Sequence, residues 1–326
     1  MAKNKPEKPA LREVERFGLQ RKIVANMTTE SWRDIPHTSV LYEPDVTEFW
    51  QAWQKLRRTP EFEGISINTV LLYACTLGFL AAPGMNAHLE YKHGTVSGEI
   101  RRYDTVNISM PATLPDGSMM TLNVHGCDSK TLRELGAHIV DLHERMAKSS
   151  IDDALFEVSM DNTVKLLKRG RIDKIAGRLL GTKIGNGPIN RLKGGEKRAY
   201  NALPETERLT KHDIEQGTVL VTNIGSIYRG SYNPATIVEI IPPMVCALCI
   251  GGFAEKPGVV AHAGGGKAIE PRTFLPININ MDHRALDYGE IVPFCERLDE
   301  VFARPGELAE WLEHKPQNFA ATQNTP

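Results

Sequence analysis

The chain has 326 residues, 41% of them hydrophobic, and its 39 Lys+Arg against 40 Asp+Glu leave a formal net charge of −1. That balance is the one expected of a globular protein; it excludes a globally basic nucleic-acid binder and a strongly acidic solvating chain. The length suits one large domain or two ordinary ones.

Residues 1–13 begin with lysines and prolines and no apolar run behind them, so they read as a flexible solvated tail rather than a secretory signal. A helix is expected from about Arg12 to Thr29, interrupted by Asp34-Ile-Pro-His37 because proline pushes its predecessor out of the helical region. A strand follows from Thr38 to Pro44. Asp45 or Thr47 then caps a helix whose Phe49, Trp50, Trp53 and Leu56 recur at helical spacing. The run Ile67 to Pro83, opened by Ser66, is too short and too interrupted by polar residues to cross a membrane, and it reads as a buried core helix. Thr105 to Thr113 and Ser118 to Val124, joined by Pro115-Asp-Gly117, predict a hairpin. An amphipathic helix runs from Leu132 to about Lys148 behind Ser129 or Thr131. Apolar strands are expected at Thr218 to Thr222, Met244 to Ile250 and Leu275 to Met281, with a hairpin turn at Gly264-Gly-Gly266. A helix from Gly289 to about Phe302 comes last, and residues 315–326 are expected to be a second flexible tail. The mixture predicts one α/β domain without repeats.

Between Thr163 and Arg198 there are 11 Lys+Arg and 2 Asp+Glu, so the rest of the chain is acidic, with 28 Lys+Arg against 38 Asp+Glu. Ile172, Ile175, Ala176 and Leu179 share one face of a helix there, opposite Arg171, Lys174 and Arg178. Such a helix either packs its apolar face on its own domain or meets an anionic partner, a membrane surface or an acidic ligand. Five scattered cysteines, Cys75, Cys127, Cys246, Cys249 and Cys295, imply no disulfide framework, which suits a reducing cytoplasm. Cys246 and Cys249 point to opposite faces of a strand, so no metal site is expected.

Chemistry concentrates in Asn280-Met-Asp-His-Arg-Ala-Leu-Asp-Tyr288, a strand-to-helix junction. A histidine beside Asp282, Arg284 and Asp287 is a candidate base, because charged groups so close must pair with one another or face a functional cleft. Asp282-His-Arg-x-x-Asp287 resembles the D-H-R-x-x-D-G signature of the acyltransferase catalytic domain of 2-oxoacid dehydrogenase complexes, a relative of chloramphenicol acetyltransferase. Further stretches are similar in the same order: Arg21-Lys-Ile-Val-Ala25 with Met27 and Ile35-Pro-His37, Pro83-Gly-Met-Asn-Ala87, Tyr103-Asp-Thr-Val-Asn-Ile108, and Gly217-Thr-Val-Leu-Val-Thr-Asn-Ile-Gly225.

The resemblance implies a chloramphenicol acetyltransferase-like mixed-sheet sandwich with flanking helices over residues 14–314, carrying a basic insertion at about 149–216. It also implies CoA-dependent acyl transfer to a thiol acceptor such as dihydrolipoamide. His283 would be the base, Thr222 the oxyanion donor in place of the family's Ser, and Asp287 an ion-paired organiser with Arg21 or Arg284 as its partner. The site would lie in a channel between subunits of a homotrimer that can build larger cores. His37 either lines that channel or is structural. No lipoyl domain precedes the motifs, so no covalent lipoyl group is expected on this chain and the acyl arm would come from a separate lipoyl-bearing protein. Two further readings stay open: a structural core subunit that recruits partners through the basic insertion, and a free-standing transferase to a small alcohol or amine. Tyr288 stands where the motif has Gly, Ile241-Pro-Pro243 replaces N-P-P, and Ser118-Met-Met-Thr-Leu122 replaces a segment ending in V-P-V.

Overall fold

The structure, a computed structural model, describes residues 10–114, 117, 119–156, 158, 192–228, 234–262 and 264–320. Helix α1 spans Leu19–Asp34, later at both ends than the sequence pattern suggests. Leu11, Val14 and Phe17 are exposed and bury no apolar face, and Gly18 stands at the N-cap, so nothing holds a helix upstream. The helix continues to Asp34 because only Ile35, directly before Pro36, must be extended.

Strand β1 (His37–Tyr42) leads to α2 (Thr47–Leu56), whose Phe49 and Trp53 are buried. Asp45 accepts hydrogen bonds from the N–H and hydroxyl of Thr47. Helix α3 (Ile67–Ala81) is buried nearly all round and is capped by Ser66, which accepts from Thr69 N–H at 3.1 Å. The hairpin β2 (Ala87–Lys92) and β3 (Ser97–Arg102) has no counterpart in the sequence reading, because His88, Glu90, Lys92, Gly98 and Glu99 hide any alternation of apolar residues.

The expected hairpin is β4 (Ile108–Thr113) with β5 (Met119–Val124). Helix α4 (Leu132–Lys148) starts in a Thr131/Glu134 capping box. Within the expected insertion the described residues form α5 (Gly194–Ala202) and α6 (Lys211–Ile214). The latter is fixed by a bidentate pair, Arg145 to Asp213 at 2.7 and 3.0 Å, and by buried Leu209. The amphipathic helix expected around Ile172 to Leu179 lies outside the described residues.

Strands β6 (Val219–Asn223) and β7 (Cys246–Ile250) follow, then the ribbon β8 (Ala254–Ala261) with β9 (Lys267–Phe274), strand β10 (Ile277–Asp282) and helix α7 (Tyr288–Ala303). The expectation of a flexible tail from 315 fails for α8 (Pro316–Ala320). Tyr73 hydroxyl donates to His314 O at 2.7 Å and Gln317 donates to Asp128 at 2.8 Å, which pins this segment beside α3.

The main sheet has the order β1-β10-β7-β6-β4-β5. Its β4–β6 and β6–β7 pairs are parallel and the others antiparallel, so the sheet is mixed. Ile277, Ile279 and Met281 of β10 join a core shared with α2, α3, α4 and α7. The alternate residues Asn278, Asn280 and Asp282 are buried too, against the other face. There Ile35, Leu220, Ile240, Met244 and Ala247 form a second, smaller cluster. Close approach explains the glycines that bracket β6: a Cβ on Gly217 would stand 2.3 Å from Asn107 O, and one on Gly225 2.4 Å from Gly251 O.

Candidate active site

The turn after β10 is built around a buried carboxylate. Asp282 is 1% exposed, and a carboxylate removed from water needs charged and hydrogen-bonding partners. It accepts from Arg284 Nε at 2.9 Å, from Arg284 Nη2 at 2.6 Å and from Arg284 N–H at 3.0 Å. Arg284 also donates to Asp34 O at 2.8 Å and lies over the Tyr91 ring at 5.1 Å. The N–H groups of Ala285 and Leu286 both return to Asp282 O, which closes the turn. His283 is carried on this rigid loop, and its own N–H donates to Pro36 O at 3.2 Å.

The His283 ring is 43% exposed, and its Nδ1 stands 3.4 Å from Asp287 Oδ1. Asp287 also occupies the N-cap of α7, in a capping box with Glu290, whose carboxylate accepts Asp287 N–H at 2.8 Å. Among the described residues no arginine pairs with Asp287, contrary to expectation. Arg284 is committed to the buried Asp282, whose need for compensation is greater, and Arg21 is exposed on α1. Asp287, 82% exposed, faces the imidazole instead. Tyr288 fits at the motif's Gly position by becoming the first residue of α7, with its ring edge-on to His283 at 6.3 Å.

Thr222 is elsewhere. It pairs with Cys249, which pairs with Asn278, whereas His283 lies five residues further along the β10 path. At about 3.3 Å per residue and about 4.8 Å per strand step, the two side chains are roughly 19 Å apart, at opposite ends of the sheet. Thr222 lines a cavity of about 320 Å³ together with Asn68, Met110, Ile139, His143 and Asn223. No described residue is hydrogen-bonded to its hydroxyl.

One residue near these ends, His88, carries no legible signal in sequence. His88 Nδ1 accepts from Tyr103 hydroxyl at 2.9 Å while its Nε2–H donates to Gly217 O at 2.9 Å, and burial pushes its pKa down, so it is a neutral fastener. His37 is structural. Its Nδ1–H donates to Ile35 O at 2.9 Å and its Nε2 accepts Ile240 N–H at 3.0 Å, tying the segment before β7 to β1. Burial pushes the Cys75 and Cys127 thiols up to about 12, which leaves them protonated and inert.

Comparison with solved structures defines the class. The fold is shared with a core of the pyruvate dehydrogenase multienzyme complex of cubic form (TM-score 0.59, 18% identity, 93% of this chain and 99% of that one). It is also shared with a probable dihydrolipoamide acetyltransferase from Listeria monocytogenes (TM-score 0.58, 16% identity, 93% and 97%). This is the mixed-sheet acyltransferase fold. The sequence model of the family "2-oxoacid dehydrogenases acyltransferase (catalytic domain)" matches residues 9–158 and 196–310, and the chain belongs to that family. Among curated relatives, the dihydrolipoyllysine-residue acetyltransferase component of the Caenorhabditis elegans mitochondrial pyruvate dehydrogenase complex is 22% identical over 291 residues, 87% of this chain and 43% of the relative. The corresponding Pseudomonas aeruginosa component is 20% identical over 296 residues, 89% and 41%. The chain thus spans about two-fifths of the length of these relatives.

Proposed function

We propose that this chain transfers an acyl group between CoA and the thiol of dihydrolipoamide, with His283 of one protomer and Thr222 of a neighbour forming a single site. The observation that carries this reading is the placement of the two residues at opposite ends of one sheet. Neither end is complete alone, and a head-to-tail ring of copies joins them at every interface. A homotrimer is the smallest ring that matches the family.

The chemistry follows from the atoms. The His283 Nδ1–H faces Asp287, which leaves Nε2 with a lone pair to take the acceptor thiol's proton. The thiolate sulfur adds to the thioester carbonyl, and the carbonyl oxygen becomes an oxyanion. The Thr222 hydroxyl donates to it. The intermediate collapses, the C–S bond to CoA breaks, and the CoA thiolate recovers the proton from His283. Acyl group, proton and both sulfurs are accounted for. No helix among the described residues is long and apolar enough to cross a membrane. The five free cysteines are in keeping with a reducing compartment such as the cytoplasm.

His283→Ala is expected to lower acyl transfer from acyl-CoA to dihydrolipoamide by about 10²- to 10⁴-fold while leaving assembly intact. The shared site is tested by mixing. Trimers reassembled from equal amounts of His283→Ala and Thr222→Ala chains are expected to regain roughly a quarter of wild-type activity, the fraction of interfaces that keep both side chains in a head-to-tail ring. No recovery in confirmed mixed trimers would rule out a site shared between subunits.

A further inference from the structure

Helix α4 places Ile139 and His143 on one face, one turn apart, and both line the Thr222 cavity. His143 Nδ1 is 2.7 Å from Ile139 O. A carbonyl oxygen only accepts, so Nδ1 is the donor in this hydrogen bond and Nε2 is the ring's acceptor atom. The neighbouring polar groups are already committed to each other. Asn223 donates to Asn68 at 2.7 Å, Ser226 hydroxyl donates to Asn223 O at 2.7 Å, and the Ser66 and Thr69 hydroxyls meet at 2.9 Å. Thr222 offers a donor hydroxyl, as Thr113 and the Asn68 amide nitrogen also can, whereas His143 is the lining side chain that brings an imidazole acceptor to the cavity. The described residues that line the cavity include no Lys, Arg, Asp or Glu. Such a cavity accepts a neutral chain and disfavours a phosphate or carboxylate, which would be desolvated there without a counter-charge.

We infer that His143 is a specificity-determining residue of this cavity, accepting a hydrogen bond from an amide N–H on the neutral arm that brings its sulfur to Thr222. The inference rests on the acyl-transfer reading for the identity of the arm. Both arms in that reading, lipoyl and pantetheine, carry amides, and the cavity recognises the chemistry they share. His143 is a binding group here and takes no proton in the reaction.

The test is calorimetric titration of the full chain with three non-reacting probes: oxidised lipoamide, S-methyl-pantetheine and methyl lipoate, which lacks an N–H. Loss of one neutral hydrogen bond is expected to weaken binding of at least one amide probe to His143→Ala about five- to tenfold. Methyl lipoate should bind both proteins alike. His143→Gln, whose side-chain oxygen accepts in place of Nε2, should restore the amide affinity. Which amide probe responds identifies the arm as lipoyl or pantetheine. The inference is overturned by any of four results: amide affinities unchanged in His143→Ala, equal weakening of methyl lipoate, no restoration by Gln, or no binding of any probe to the wild type. Failure of the underlying reading is separable, because it appears as undiminished acyl transfer by His283→Ala whatever the probes show.

Discussion

The two ends of the central sheet are built on opposite electrostatic plans. At the His283 end, three charged groups and an imidazole lie within a six-residue turn, and each answers another: buried Asp282 takes Arg284, and exposed Asp287 faces the imidazole. At the Thr222 end the described lining of a cavity of about 320 Å³ holds no charged side chain, and Ser66 with Thr69 and Asn68 with Asn223 bond one another. In the proposed reaction one end moves a proton, and the other holds a neutral chain and stabilises a charge that exists only in the transition state. A single protomer keeps these plans apart, and the proposed reaction draws on both.

Substitutions sharpen this contrast in descending order. After His283→Ala, the largest loss is expected from Thr222→Ala, which removes one oxyanion donor and should lower kcat by about 10²-fold or more, with Thr222→Ser retaining most activity. Equal kcat in wild type and Thr222→Ala would remove the hydroxyl from the chemistry. Arg284→Met acts on stability instead. It leaves the buried Asp282 carboxylate uncompensated and should cost about 3 kcal/mol, read from urea unfolding. Asp287→Asn should lower kcat/KM only a few-fold, with a weaker effect at high salt, because an exposed carboxylate is screened.

The smallest effect is on acid stability. Burial, then Lys130, His125 and Arg145 nearby, push the His138 imidazole down to about 4 from its usual 6.5, and burial also depresses His88. A histidine that protonates more readily unfolded than folded favours the unfolded chain as protons are added. Stability should therefore fall as the pH drops from about 6.5 towards 4, and His138→Gln should flatten that fall. Denaturant midpoints measured across this range decide it.

Much of this was legible from residue patterns. Phe49, Trp50, Trp53 and Leu56 recur at helical spacing, Ser66 caps α3, and Thr131, one of the two caps read for α4, opens it, because caps and periodicity are local properties of a chain. Elements without a local signal went unseen. The polar β2–β3 hairpin and α8 are held by distant partners, such as Pro243 O receiving Leu89 N–H and Asp128 receiving Gln317. The start of α1 was misplaced for the converse reason, since its pattern extends upstream over residues that find no apolar surface to cover.

By itself the sequence singled out the side chains of the proposed chemistry: His283 and Asp287, four residues apart on one junction, and Thr222 in an apolar strand between two glycines. Proximity along the chain was enough to bring His283 and Asp287 together. Tertiary structure alone decided how the charges pair. Arg284 goes to Asp282 because burial makes that carboxylate the costlier one to leave uncompensated, and burial is set by residues far away in sequence. It also decided that Thr222 and His283 stand at opposite ends of one sheet, because strand order and register are fixed by long-range pairing that no local pattern encodes.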